Sequence, residues 1–318
     1  MSRRHLLLAL GIVTALLGAY LFYSVLRRYD FQEVAQSLRS VPLGHVALAV
    51  ALMAGSFACI AAMEALAVRY AENGRRAVSA SRILRTTVAA LGIGHSIGLS
   101  ALSSGAIRYR MYSRAGLGLA SIGEIILFSG TSVGLGLGFV GGLALLWQGD
   151  ALGQFLDLSA RDIRLLGGAG TGLTALYLPL CALVRRPLRL GSYRLRLPSW
   201  PAAAAQLLFS SLNYVCVAGV LYAALRGFSD APAAKVAALY VGSELSAIIA
   251  HVPGSWGVLE YIFTRALPGH GVVGALLVFR AVYYLLPLFV GLAVWLFDEI
   301  AGRRLARGER RDMKVLNA

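Results

Sequence analysis

Glu244, Glu260, Arg265 and Arg280 sit in one of the most apolar parts of the chain. They surround the run Ser246-Ala-Ile-Ile-Ala-His-Val-Pro-Gly-Ser-Trp-Gly-Val-Leu-Glu-Tyr-Ile-Phe-Thr-Arg265, which Pro253, Gly254 and Gly257 interrupt just before Glu260. A charged side chain at the centre of a bilayer costs about 2.5–3.5 kcal/mol on insertion scales, so one that is retained there faces a partner or a cavity. A plain spanning helix has no use for a Pro-Gly break beside an acid. A helix broken inside the membrane does, because its freed backbone groups must face protein or a water-filled space. The first half holds a weaker copy, Ser103-Ser-Gly-Ala-Ile-Arg-Tyr-Arg-Met-Tyr-Ser-Arg-Ala115. Shifted by 151 positions, its Ser104, Arg114 and Ala115 fall on Ser255, Arg265 and Ala266. The two stretches are expected to be copies of one re-entrant element, broken at Gly105 in the first and at Pro253, Gly254 and Gly257 in the second.

Each charged residue near these breaks has a functional and a bland reading. Arg108 and Arg110 carry planar guanidinium groups suited to gripping a lipid phosphate bidentately; alternatively they anchor topology at the cytoplasmic interface. Glu260 could balance one of those arginines, contact a cationic headgroup, or belong to a purely structural pair. Glu244 and Arg280 are pathway residues or halves of structural pairs. His95 and His251 are lone histidines without a second ligand at metal-binding spacing, so hydrogen-bonded interior roles fit them. His251 is also close enough to Glu260 in sequence to be a candidate proton relay. The candidate headgroup or cavity set is therefore Arg108, Arg110, Glu260, Glu244, Arg280 and His251. Glu64, Glu124, Asp298 and Glu299 read as interfacial caps at helix ends. A membrane hydrolase using Ser255 is weighed as well, but the nucleophile-elbow spacing Gly-x-Ser-x-Gly is missing. Neither a P-loop nor a dinucleotide fingerprint occurs, and no catalytic residue, metal or cofactor is expected.

What must position these residues follows from composition. Of 318 residues, 58% are hydrophobic and only 14% charged, against about 25% charged in soluble domains. The expected fold is an all-α polytopic membrane protein forming a single transmembrane domain, residues 1–318. The net charge of +15 comes from basic residues in short loops, which fits positive-inside topology and anionic headgroups rather than nucleic acid. Cys59, Cys181 and Cys216 are widely spaced in apolar runs and read as packing residues.

Six runs can each cross a hydrocarbon core of about 30 Å, which takes about 20 helical residues: Leu6–Leu26, Val46–Val68, Ile122–Trp147, Leu165–Val184, Ala202–Leu225 and Val272–Phe297. The first is read as a retained signal anchor. Arginines crowd loop 69–85, the stretch after Val184 and the tail 299–318, whereas 148–162 and 226–235 are poor in them. Placing the basic loops inside forces segment 86–115 to enter and leave by the cytoplasmic face, and 236–268 by the outer face. Six spans plus two re-entrant hairpins then form inverted repeats, about 5–147 and 163–298, with both termini cytoplasmic in a bacterial inner membrane. The alternative makes each hairpin two ordinary short spans. Residues 27–45 have the pattern of an amphipathic surface helix. Gly130, Gly134, Gly138 and Gly142 share one helix face and are expected to admit a closely packed neighbour.

Two motifs, Gly94-His-Ser-Ile-Gly…Ser104-Gly-Ala-Ile-Arg-Tyr-Arg110 and Val252-Pro-Gly-Ser-Trp-Gly-Val-Leu-Glu260, resemble the lysylphosphatidylglycerol synthase transmembrane-region family, which includes the flippase domain of multiple peptide resistance factor. The resemblance spans about residues 5–300 and implies movement of phospholipid between leaflets. Residue by residue it points to Arg108, Pro253, Gly254, Gly257 and Glu260. Ser255-Trp256 departs from the small or apolar residues common there in that family. The synthase domain of the bifunctional members has no counterpart after Glu299, so the expectation is transport without synthesis. Expected partners are membrane phospholipids with an anionic or aminoacylated headgroup, and a second copy or a lipid-modifying enzyme is left open. A competing reading is a non-transporting scaffold that docks such an enzyme through its basic loops.

Overall fold

The computed structural model describes residues 31–72, 78–97, 100–148, 158–184, 188–190, 193–249, 255–267 and 271–316. The expected span Leu6–Leu26, together with His251, Pro253 and Gly254, lies outside the described residues. In chain order the helices are α1 (Phe31–Ser40), α2 (Leu43–Ala71), α3 (Ala80–Ile97), α4 (Ser100–Ser113), α5 (Leu119–Gln148), α6 (Ala160–Leu183), α7 (Trp200–Leu225), α8 (Ala233–Ile249), α9 (Val258–Ala266), α10 (Val272–Arg280) and α11 (Leu286–Leu316). A π turn, Ala281–Leu285, joins α10 to α11. Among the described residues five helical stretches are long and apolar enough to cross a membrane: α2, α5, α6, α7 and the run Val272–Gly302. Each overlaps an expected span.

The π turn has a local cause. Pro287 lacks the N–H that would bond the carbonyl of Tyr283, four residues back, and a wider turn absorbs the mismatch. The only strands among the described residues, β1 (Leu188–Leu190) and β2 (Tyr193–Leu195), form an antiparallel hairpin with Arg189 opposite Arg194. It lies in the arginine-rich stretch, where no strand was expected.

The helices α2 and α7 run antiparallel at the centre: Tyr70 Oη donates to the Arg196 carbonyl at one end, while Pro42 lies against Gly227 at the other. Around this pair the two short helical hairpins approach from opposite ends. Arg82, near the start of α3, and Arg114, just past α4, both bond Asp298, twelve residues into α11, so the α3–α4 hairpin begins and finishes at one end of the molecule. At the other end Lys235 Nζ, in the first turn of α8, donates to the Ala266 carbonyl at the close of α9, 3.3 Å away. The two tips converge on the π turn. Ser96 Oγ donates to the Tyr284 carbonyl at 3.2 Å, and the Arg280 guanidinium, which donates to the Ser255 carbonyl, lies 3.9 Å from the centre of the Trp256 ring. Trp256 itself packs against the apolar cluster of Ile93, Ile107, Met111 and Leu285.

Three expectations need correction. Gly105 is not a break: it lies inside α4, and the change of helix comes earlier, between Ile97 and Ser100. A Cβ on Gly105 would meet only the Ile126 side chain of α5, at an ordinary contact distance of 3.4 Å. The α1 helix is mostly exposed with one buried face, as expected of an amphipathic surface helix, but it ends at Ser40, with Leu43 to His45 already in α2, and its buried Val34 and half-buried Ser37 set it against α10. Of the four glycines in α5, only Gly138 and Gly142 meet another helix, against Thr174 and Thr171 of α6; nothing lies within 4 Å of where a Cβ would stand on Gly130 or Gly134.

Candidate functional site

Two ion pairs, one buried and one part-buried, define the candidate site, one behind each hairpin tip. In the first, Arg108 of α4 grips Glu64 of α2 with both arms: Nε to Oε1 at 2.8 Å and Nη2 to Oε2 at 2.9 Å. Tyr112 Oη adds a bond to Oε1 at 3.1 Å, and Ser129 Oγ of α5 adds one to Oε2 at 3.2 Å. Glu64 is 1% exposed and Arg108 4%. The carboxylate thus receives four donors from two helices, which clamps α2, α4 and α5 together. Coulombic attraction at such depth offsets the cost of desolvating two charges only when geometry and extra donors are this complete.

Arg108 therefore does not reach toward an open headgroup site: its Nε and Nη2 are spent on Glu64. Glu64, read from sequence as an interfacial cap, is instead an interior partner. The sequence carried one signal for this, since an acid inside a 29-residue apolar helix must find a counter-charge.

The second pair joins Glu260 to Arg280, with Nε to Oε1 at 2.6 Å. Glu260 does not pair across to Arg108 or Arg110, as one reading had it. Its other oxygen accepts the Gly257 N–H at 2.8 Å, capping the start of α9. Gly257 takes φ +79°, a left-handed turn that glycine enters without a Cβ clash. Ser255 also has a positive φ, +53°, which is uncommon outside glycine and marks a locally held backbone. Two bonds hold it: its Oγ donates to Glu244 Oε1 at 2.8 Å, and its carbonyl accepts from Arg280 Nη2 at 3.4 Å. Glu244, Ser255, Arg280, Glu260 and Gly257 thus form one hydrogen-bonded chain across the break. Arg280 is 1% exposed, stacked on Trp256 and near Tyr284, whose ring centre is 5.5 Å away. Cation–π contacts of this kind gain strength when desolvated.

Between the tips lies an aromatic and polar seam. Tyr283 stacks on Phe279 at 5.6 Å, its ring centre 6.4 Å from that of His95, and Ser56 Oγ donates to Asn213 Oδ1 at 2.7 Å while contacting Tyr283 Oη. Sequence reading passed over Asn213 and Ser56, although an amide inside the apolar α7 was the available clue.

Arg110 stands apart from both pairs. It is largely exposed and bonds Glu299 Oε1 at 3.0 Å, in a cluster where Arg114 meets Asp298 and Glu299 and where Arg82 and Arg85 meet Asp298. Four guanidinium groups on two carboxylates mark the interface end. Of the expected set, then, Arg280, Glu260 and Glu244 come together, Arg108 is clamped elsewhere, Arg110 is at the rim, and His251 is outside the described residues.

No family model matches the chain. It is 27% identical over 308 residues to the uncharacterized protein slr0712 of Synechocystis, a match covering 93% of this chain and 95% of that protein. It is also 32% identical over 205 residues to the inner membrane protein YbhN of Escherichia coli. This is an integral membrane protein. The match to YbhN covers 63% of the chain and 64% of YbhN, less than two thirds of that relative. The likeness to slr0712 runs along nearly all of both chains and is not confined to one segment.

Proposed function

We propose that this chain is a phospholipid translocase of the inner membrane, without synthase activity, in which α3–α4 and α8–α9 are re-entrant hairpins. The observation that carries the reading is the meeting of two hairpins, each closed on its own end of the molecule, at a buried and a part-buried ion pair beside a spanning helix interrupted by a π turn. Broken helices from inverted repeats that meet near the midplane are the architecture of many transporters, and their buried charges give a polar headgroup a path while its tails stay in lipid. The motif resemblance to the lysylphosphatidylglycerol flippase region supports the same reading. So does the arginine-rich end, which positive-inside topology places in the cytoplasm together with both termini. Headgroup contact falls to Glu260, which is part-exposed and held in place by Arg280, with the exposed Arg110 as a phosphate donor at the rim.

The test is transbilayer movement of fluorescent phospholipid in liposomes holding the purified protein. Wild type should accelerate it, and the charge-neutral double variant Glu260→Gln/Arg280→Gln, which removes both charges together, should not. Equal movement by the two proteins discards this mechanism.

One observation favours a second reading, a scaffold for a lipid-modifying enzyme. The β1–β2 hairpin lies in a run that carries Arg185, Arg186, Arg189, Arg194 and Arg196, a basic composition suited to an anionic partner. On this reading Arg189→Gln/Arg194→Gln abolishes function in cells and lipid movement by wild type in liposomes is absent.

A further inference from the structure

Among the described residues, the tip of the second hairpin holds two carboxylates, Glu244 and Glu260, and one guanidinium, Arg280. Glu260 is matched by Arg280 at 2.6 Å. Glu244 is not matched in the same way: among the described residues the hydrogen bond recorded to it is from a neutral hydroxyl, Ser255 Oγ, at 2.8 Å. Two carboxylates against one guanidinium leave a single negative charge. The buried pair, Arg108–Glu64, is neutral in itself and does not redress the balance.

Depth makes the imbalance matter. Glu244 stands eleven residues beyond Ala233, the start of α8, which is about 16 Å at 1.5 Å per residue. A hydrocarbon core is about 30 Å thick, so Glu244 lies near its middle if the hairpin enters from its own end. A carboxylate at that level with a neutral donor is stabilised by taking up a proton or a cation. The groups that face it are Ser255 and, farther off, Arg280 of α10, Tyr214 of α7, Tyr240 one turn earlier on α8, and Tyr283 of the π turn. Glu260 stands behind Arg280, while Lys235 lies at the far end of α8 near Ala266. Four hydroxyls and one guanidinium already bonded to Glu260 suit a proton better than a metal ion, whose sites gather several anionic or carbonyl oxygens.

We propose that Glu244 is a proton-binding site, and that loading it loosens the tip of the second hairpin so that lipid movement is coupled to the proton gradient. This rests on the translocase reading. The coupling follows from the bonds already described. Ser255 is held at a positive φ by a charge-assisted bond to Glu244 and by the Arg280 bond to its carbonyl. When a proton binds Glu244, the carboxylate becomes a neutral acid, and the Ser255 bond loses its ionic component. One of the two restraints on a strained residue weakens, and the chain of bonds from Glu244 to Gly257 is free to open.

Infrared difference spectroscopy of the protein in lipid nanodiscs, titrated from about pH 8 to about pH 5, reads the site without requiring transport. Wild type should gain a protonated-carboxyl C=O band that Glu244→Gln lacks, while Glu260→Gln and His251→Gln keep it. A band that persists in Glu244→Gln, or no titrating band in wild type, overturns the proposal. In liposomes, an imposed pH difference should change the rate of lipid movement by wild type and leave Glu244→Gln unresponsive. Movement that ignores the pH difference in both proteins removes the coupling but leaves the translocase reading intact. A wild type that binds the proton yet moves no lipid removes the translocase reading, and with it the coupling, and leaves the proton site standing.

Discussion

Arg108 and Arg280 are both buried arginines paired to a glutamate, yet their loss should do different damage. Arg108 is a clamp. Arg108→Gln strands Glu64 with two neutral hydroxyl donors, and breaking a buried pair on one side costs about 3–5 kcal/mol. The expected result is a lower melting temperature in detergent and poor yield, most of it recovered by the double variant Arg108→Gln/Glu64→Gln, which leaves no buried charge. A single variant as stable as wild type would contradict the clamp. Arg280 holds a turn rather than three helices, so Glu260→Gln/Arg280→Gln should lose transport at near-normal stability. At this scale the sequence was half legible. It picked out Arg108, Glu244, Glu260 and Arg280 because charge in an apolar run is conspicuous. It could not pair them, since partners such as Glu64 and Arg108, 44 positions apart, are decided by helix register and depth.

Spanning helices were the most legible elements, because twenty consecutive apolar residues admit few other structures. The glycines of α5 show the boundary of that legibility. Their four-residue spacing gives a common face, but whether a neighbour occupies it depends on how α6 crosses. Near Gly142 the α6 backbone is close enough that an added Cβ would meet Gly167 O at 2.6 Å, whereas Gly134 has open space. Gly142→Leu should therefore destabilise strongly, above the roughly 1–3 kcal/mol usual for overpacking, because backbone cannot yield as a side chain does. Gly134→Leu should be tolerated. Thermal melts of the two variants side by side check this, and similar losses would refute the packing. The β1–β2 hairpin had a signal that went unread. Leu188-Arg-Leu and Tyr193-Arg-Leu alternate across Gly191-Ser192, a two-residue spacing typical of tight hairpins. Arginine content drew attention to topology and hid the period of two.

For the whole molecule, charge distribution and hydropathy together led to an arrangement in which each half contributes a central helix and a hairpin closed on its own end. Lys235 bonding Ala266, and Arg82 sharing Asp298 with Arg114, are the contacts that express it. The measurement that bears most directly on this architecture is the side from which introduced cysteines are labelled in sealed vesicles. Cys59, Cys181 and Cys216 are first replaced, and single cysteines are placed at Ser79 and Gly118, before and after the first hairpin, and at Asp230 and Arg265, before the second hairpin and in its last turn. The account predicts that Ser79 and Gly118 react from the cytoplasmic side, and Asp230 and Arg265 from the opposite side. Labelling of Ser79 and Gly118 from different sides, or of all four from one side, would contradict it.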